Sequence, residues 1–109
     1  MASPINTFRT IATELTTNNQ TVYTAPSNAD TIVLMAQISN ITSNAANITC
    51  SHYDGTSVTT ELVKDFSVPG NDALTPLTGK LVIENGQSFI ASCSANSTCK
   101  ITLSVLETQ

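Results

Sequence analysis

The chain has 109 residues, 40% hydrophobic, only 11% charged and 5% aromatic, with no tryptophan and a formal net charge of −4. Thr (18), Ser (12) and Asn (10) supply 40 of the 109 residues, and because these side chains compete with the helix backbone for hydrogen bonds, the composition excludes a helical bundle. A slightly positive mean hydropathy argues against disorder, and four Lys and Arg in all cannot build the positive surface that nucleic-acid binding requires.

What remains is an all-β chain, a single-domain antiparallel β-sandwich of jelly-roll or immunoglobulin-like type with about eight short strands. The opening MASPINTFRTIATEL has neither a basic start nor an apolar run of signal-peptide length. No segment approaches the ~18 consecutive apolar residues of a membrane span. The expectation is a protein with no membrane partner, made and folded in a cytoplasm.

Alternation and turn residues divide the chain into extended runs. Ile5 to Leu15 comes first, and residues 1–15 read as an N-terminal arm or edge strand ahead of a sandwich domain over 16–109. The arm, Met1 to about Thr13, is expected to pair with a sheet edge of a neighbouring subunit. Gln20 to Thr24 follows. Thr31 to Asn40 is the strongest run, with Ile32, Leu34, Ala36 and Ile38 on one face and Val33, Met35, Gln37 and Ser39 on the other. Both faces begin apolar, which places this strand centrally or beneath another subunit.

Asn47 to Tyr53 carries Ile48, Cys50 and His52 on one side, and Asp54-Gly55 is a hairpin signal leading into Val58 to Phe66. Val68 to Asp72 is a loop rich in turn formers, and Leu74 to Thr78 reads as an irregular crossover. Lys80 to Glu84 sets Leu81 and Ile83 against Val82. Asn85-Gly86 is the best type I′ turn candidate, and Gln87 to Cys93 is expected to pair back with Phe89, Ala91 and Cys93 on one face. Cys99 to Leu106 closes the domain with Ile101, Leu103 and Val105 inward.

Residues able to carry chemistry are few. His52, the single histidine, has Asp54 two positions away, and such a pair could orient an imidazole, but no nucleophile motif accompanies it. The preferred reading is a histidine near a hairpin end and an exposed turn aspartate. One His and three Cys lack the Cys-x2-4-Cys spacing of a zinc site. Cys93 and Cys99, facing each other across a presumed hairpin, could form a short disulfide clip; two free, packed thiols are preferred. The four Asn-x-Ser/Thr triplets, at Asn19, Asn40, Asn47 and Asn96, compare with about three expected by chance and imply no glycosylation. No catalytic, cofactor-binding or metal-binding residue is assigned, no cofactor is expected, and the chain does not read as an enzyme.

Thr21-Val-Tyr-Thr-Ala-Pro26, the run Asp30 to Asn40, and a Thr/Ser/Asn/Ala turn into Ile48-Thr-Cys50 carry a resemblance. With Glu61-Leu-Val-Lys64, the Val68 to Asn71 loop, Leu81 to Phe89 and Ile101 to Glu107, this pattern resembles the small β-sandwich virion proteins of tailed bacteriophages, particularly those of cyanobacteria and other aquatic hosts. It spans about Thr21 to Glu107 and does not involve the cysteines.

The resemblance implies a non-enzymatic virion component made in the host cytoplasm. A capsid cement or decoration protein is the leading expectation, ahead of a tail, neck or fibre-associated subunit. Its partners would be the major capsid protein or other virion proteins, and it would be a homo-oligomer, trimer or dimer, on a capsid symmetry axis. The other class considered is a host-surface module whose loops bind carbohydrate.

Overall fold

A computed structural model of the chain describes residues 6–109; the first five residues of the expected arm lie outside it. Among the described residues there are nine strands and no helix: β1 (Asn6–Glu14), β2 (Gln20–Thr24), β3 (Asp30–Asn40), β4 (Ala46–Tyr53), β5 (Thr59–Val68), β6 (Ala73–Leu74), β7 (Leu81–Ile83), β8 (Ser88–Cys93) and β9 (Cys99–Thr108). They form two antiparallel sheets. One has the order β1-β9-β3, with β3 pairing on its far side with both β6 and β7; the other has the order β2-β8-β4-β5.

The pairings are nested: β1 with β9, β2 with β8, β3 with β6 and β7, and β4 with β5. This is a long antiparallel ribbon wound over on itself, so that β9 comes to lie on β3 and β8 on β4. Two four-position sheets arranged this way make a jelly roll, which decides between the two sandwich types the sequence left open. β6 and β7 together occupy the fourth position of the first sheet.

The core lies between the sheets, where Val33, Ile38, Ile48, Ile83, Phe89, Ile101, Leu103 and Val105 are buried. Strands β4, β7, β8 and β9 present the faces their alternation predicts, because a strand packed on one side alternates buried and open residues.

β3 does not keep its predicted faces. Its register against β9 shifts between Val33 and Met35, a bulge that places Leu34 and Met35 both outside. Thr31 and Val33 point inward before the bulge, and Ala36, Ile38 and Asn40 after it, so Leu34 leaves the face it was expected to share with Ala36 and Ile38.

The expected pairing of the Lys80 to Glu84 and Gln87 to Cys93 runs also fails: β7 belongs to one sheet and β8 to the other. Gly86 has φ +81°, but Asn85 is not in the positive-φ region, so the turn is not type I′. It carries the chain from one layer to the next. A turn signal fixes local backbone geometry and leaves the partner strand open. Leu74, assigned to an irregular crossover, is in β6 and pairs with Ile38.

Residues 6–14 pair along their whole length with β9 of the same chain, which makes β1 an edge strand of its own domain. β5 is the far edge of the second sheet, and two register shifts against β4, near Asp65 with its φ of +49°, interrupt that edge.

One end of the sandwich is closed by a buried asparagine. Asn40 is 2% exposed; its Nδ2 donates to the carbonyls of Asn44 (2.8 Å) and Val68 (3.1 Å), and its Oδ1 accepts from the Thr42 amide and hydroxyl, both 2.9 Å. It therefore welds the 41–45 loop to the end of β5. Its burial also removes Asn40 as a glycan acceptor.

Candidate functional site

His52 and Asp54 stand two residues apart but are engaged separately. His52 Nε2 donates to Gln87 Oε1 (2.9 Å), an oxygen that also accepts the Glu84 amide (3.0 Å). Asp54 Oδ1 accepts the amides of Thr56 and Ser57 at 2.9 Å and of Val58 at 3.0 Å. Those backbone donors lower the Asp54 pKa to about 2. The aspartate thus organises the β4–β5 turn, and the histidine ties that end of β4 to the β7–β8 turn. The two turns meet closely, since a Cβ on Gly55, itself at φ +90°, would lie 2.8 Å from the Gly86 carbonyl oxygen.

The hairpin geometry that would oppose Cys93 and Cys99 is not present, because β8 and β9 lie in different sheets and residues 94–98 cross between them. All three cysteines are free and buried. Burial pushes the Cys50 thiol up to about 12, and burial followed by contact with Cys93 does the same to Cys99. A thiol held protonated is a packing group, since the thiolate is the reactive form. Among the described residues no group of three His, Cys, Asp or Glu could hold a metal ion.

A cluster that sequence reasoning missed joins both sheets at the opposite edge. Glu107, on β9, is only 7% exposed. Its Oε2 accepts the Tyr23 hydroxyl of β2 at 2.5 Å, and its Oε1 accepts Arg9 Nε of β1 at 2.9 Å. With its proton committed to the carboxylate, the Tyr23 oxygen accepts from Thr31 Oγ1 at 2.8 Å. Three strands, β1, β2 and β9, meet at one carboxylate, and the Tyr23 hydroxyl ties in a fourth, β3. The signal was available: Ile101, Leu103 and Val105 point inward, and the same phase carries on to position 107.

The Tyr23 hydrogen bond, reinforced by Arg9, holds the Glu107 carboxyl below its ordinary range, while burial first, and then Glu107, raise Tyr23 to about 12. A depressed carboxylate pKa contributes stability that is fully present above the unfolded value, ~4.3, and is lost as pH falls through the folded value. Tyr23→Phe removes the first cause, so its acid unfolding transition is expected at higher pH than that of the parent chain. Thermal midpoints recorded from pH 7 to pH 2 check this, and superimposable normalised profiles would contradict it.

The two outer faces differ in chemistry. On the first sheet, Phe8 of β1, Leu106 of β9, Ile32 of β3 and Val82 of β7 sit in lateral register and form one apolar row across four strands. The outer face of the second sheet is polar. It holds an open groove of about 450 Å³ lined by residues that include Thr49, Ser51 and Ser92, with the Glu61–Lys64 ion pair (3.6 Å) among its walls.

No protein-family model matches the sequence. No curated protein matches it. Solved structures do match. A chain from the acid-stable capsid of Helicobacter pylori bacteriophage KHP30 aligns over 98% of this chain and 92% of its own, with TM-score 0.57 and 10% identity. Chains from infectious bursal disease virus align comparably: one from the Gx strain, with TM-score 0.55 and 11% identity, over 98% of this chain and 33% of its own, and one from virus-derived T=1 particles, with TM-score 0.57 and 13% identity, over 96% and 31%. This chain therefore spans nearly the whole of the phage chain but about a third of the bursal disease virus chains. At these identities the likeness is one of fold, and the fold is one found in the capsids of viruses.

Proposed function

We propose that this chain is a non-enzymatic structural protein of a phage virion, a cement or decoration subunit that stabilises the capsid by repeated contacts with the major capsid protein. The observation that carries this reading is the end-to-end fold match with a chain of about the same length from a phage capsid, 98% of this chain aligning with 92% of that one. The side chains support it: the histidine, the turn aspartate, the thiols and the buried Glu107 are all committed to holding the fold. Synthesis in the host cytoplasm suits three free cysteines. The low charge of both faces suits contact with other proteins.

Cement function has a physical consequence. Particles assembled without this chain are expected to release their genome at lower temperature than complete particles, and purified protein added back is expected to restore the difference. Equal thermal release with and without the protein would remove the cement role.

The polar groove of the second sheet favours one other reading, a host-surface module whose hydroxyl and carboxylate groups bind a neutral saccharide. Binding to host polysaccharide that is lost on Ser92→Tyr, with particle stability unaffected, would establish that reading over the first. A tail or neck position would show itself as a low copy number per particle.

A further inference from the structure

The apolar row on the first sheet lies outside the core that fills the space between the sheets. Its ends are its most open members, Phe8 at 73% exposure and Val82 at 55%, and the β3 bulge adds Leu34 and Met35 beside it, each 38% exposed. We propose that this face is a homodimer interface, with a second copy of the chain packed against it face to face about a two-fold axis parallel to the strands.

Three features select a second copy and this axis. The first is reach. Four strands ~4.8 Å apart and about eight residues at ~3.3 Å give a projected footprint of ~500 Å². Side-chain relief carries that toward the ~800 Å² that each partner contributes to a standard interface. An axis parallel to the strands lays one whole face on the other, whereas an axis along the row would overlap only one end.

The second feature is shape. A two-fold axis along the strands reverses the strand order, so β1 lies over β7 and β6 of the second copy, and β9 over its β3. Phe8 then meets Val82, the large end of the row against the small one, and Leu106 meets Ile32. A layer of apolar side chains is enclosed between two sheets, as in the interior of a sandwich.

The third feature is charge. The lateral row at the opposite end of the face is Glu14, Lys100, Ser39 and Ala73. Reversal places Glu14 over Ala73 and Lys100 over Ser39. Asp30, whose neighbour on β9 is Thr108, falls over Thr108 of the second copy. Every charged position on the strands of this face meets a neutral one.

This inference does not rest on the virion reading, and either can fail without the other. Analytical ultracentrifugation of the purified full chain over micromolar to submillimolar concentrations is expected to give twice the 11.5 kDa chain mass. Phe8→Ser combined with Val82→Thr, both exposed positions, is expected to give a folded monomer, with the wild-type far-UV circular dichroism spectrum and a thermal midpoint that no longer rises with protein concentration. A short bismaleimide is expected to link Phe8→Cys/Val82→Cys into covalent dimers but not Phe8→Cys alone, because the two Phe8 positions are offset laterally by three strand spacings, ~14 Å, in addition to the ~10 Å between the packed sheets. The native thiols are buried and give little background. A wild-type monomer at every concentration would overturn the assignment, as would a dimer indifferent to the double substitution. So would a monomer that still needs Phe8 to enter particles, which would put another protein on this face.

Discussion

Gly70→Ala is expected to lower the thermal unfolding midpoint by ~15 °C, corresponding to about 3 kcal/mol. A Cβ at position 70 would lie 2.3 Å from the Ser43 carbonyl oxygen and 2.4 Å from its carbon. Both atoms are backbone, so no side chain can swing aside. The 41–45 loop is also fixed from below by Asn40 and from the side by the bond from the Asn71 amide to the Thr42 carbonyl, 2.8 Å. Relief of the clash has to separate two loops that these hydrogen bonds hold together. Gly79 has nothing within 4 Å of the corresponding position, and Gly79→Ala is expected to leave the midpoint unchanged. Differential scanning calorimetry of the two variants side by side makes the comparison, and equal midpoints would refute the packing described for this end of the sandwich.

Phe89→Ala is expected to cost about 4 kcal/mol. Phe89 is fully buried in β8, in register with Tyr23 of β2 on one side and His52 of β4 on the other. It is the largest of the fully buried side chains in a chain that has no tryptophan and only three phenylalanines. Truncation leaves a cavity between rigid sheets that cannot collapse around it, and the loss is a large share of the ~5–15 kcal/mol that stabilises a domain of this size. Urea unfolding is expected to show the midpoint falling at unchanged slope. A loss below ~1.5 kcal/mol would mean that the core is more plastic than the close packing of the two sheets implies.

The sequence carried the fold class and most strand faces because they depend on local quantities. In β9 buried positions alternate with more open ones over the whole strand, and in β8 they do so from Phe89 to Cys93, so the alternation is visible whatever the neighbouring strand is. The bulge in β3 was hidden for the opposite reason. Leu34 and Met35 are both apolar, so nothing in the residue pattern marks the bulge that leaves the two of them outside together.

Pairing was the least legible property. Asn85-Gly86 and the 94–98 segment contain good turn residues, and good turns serve hairpins and layer crossings alike; only the nested order of the whole ribbon decides between them. The apolar row escaped notice for the same reason. Phe8, Ile32, Val82 and Leu106 are scattered along the chain and become one feature only when four registers are known. Glu107 was within reach, being the next inward position after Val105. The scarcity of chemistry-bearing residues was legible from the start, and the structure gives each of the principal ones a partner or a place in the core.

The proposed role makes this jelly roll a repeated structural element of a phage capsid. Quantitative mass spectrometry of purified particles whose genome encodes the chain tests it most directly. The account predicts this protein in a copy number comparable to that of the shell subunit. Its absence from intact particles, with the shell proteins present, would contradict the account.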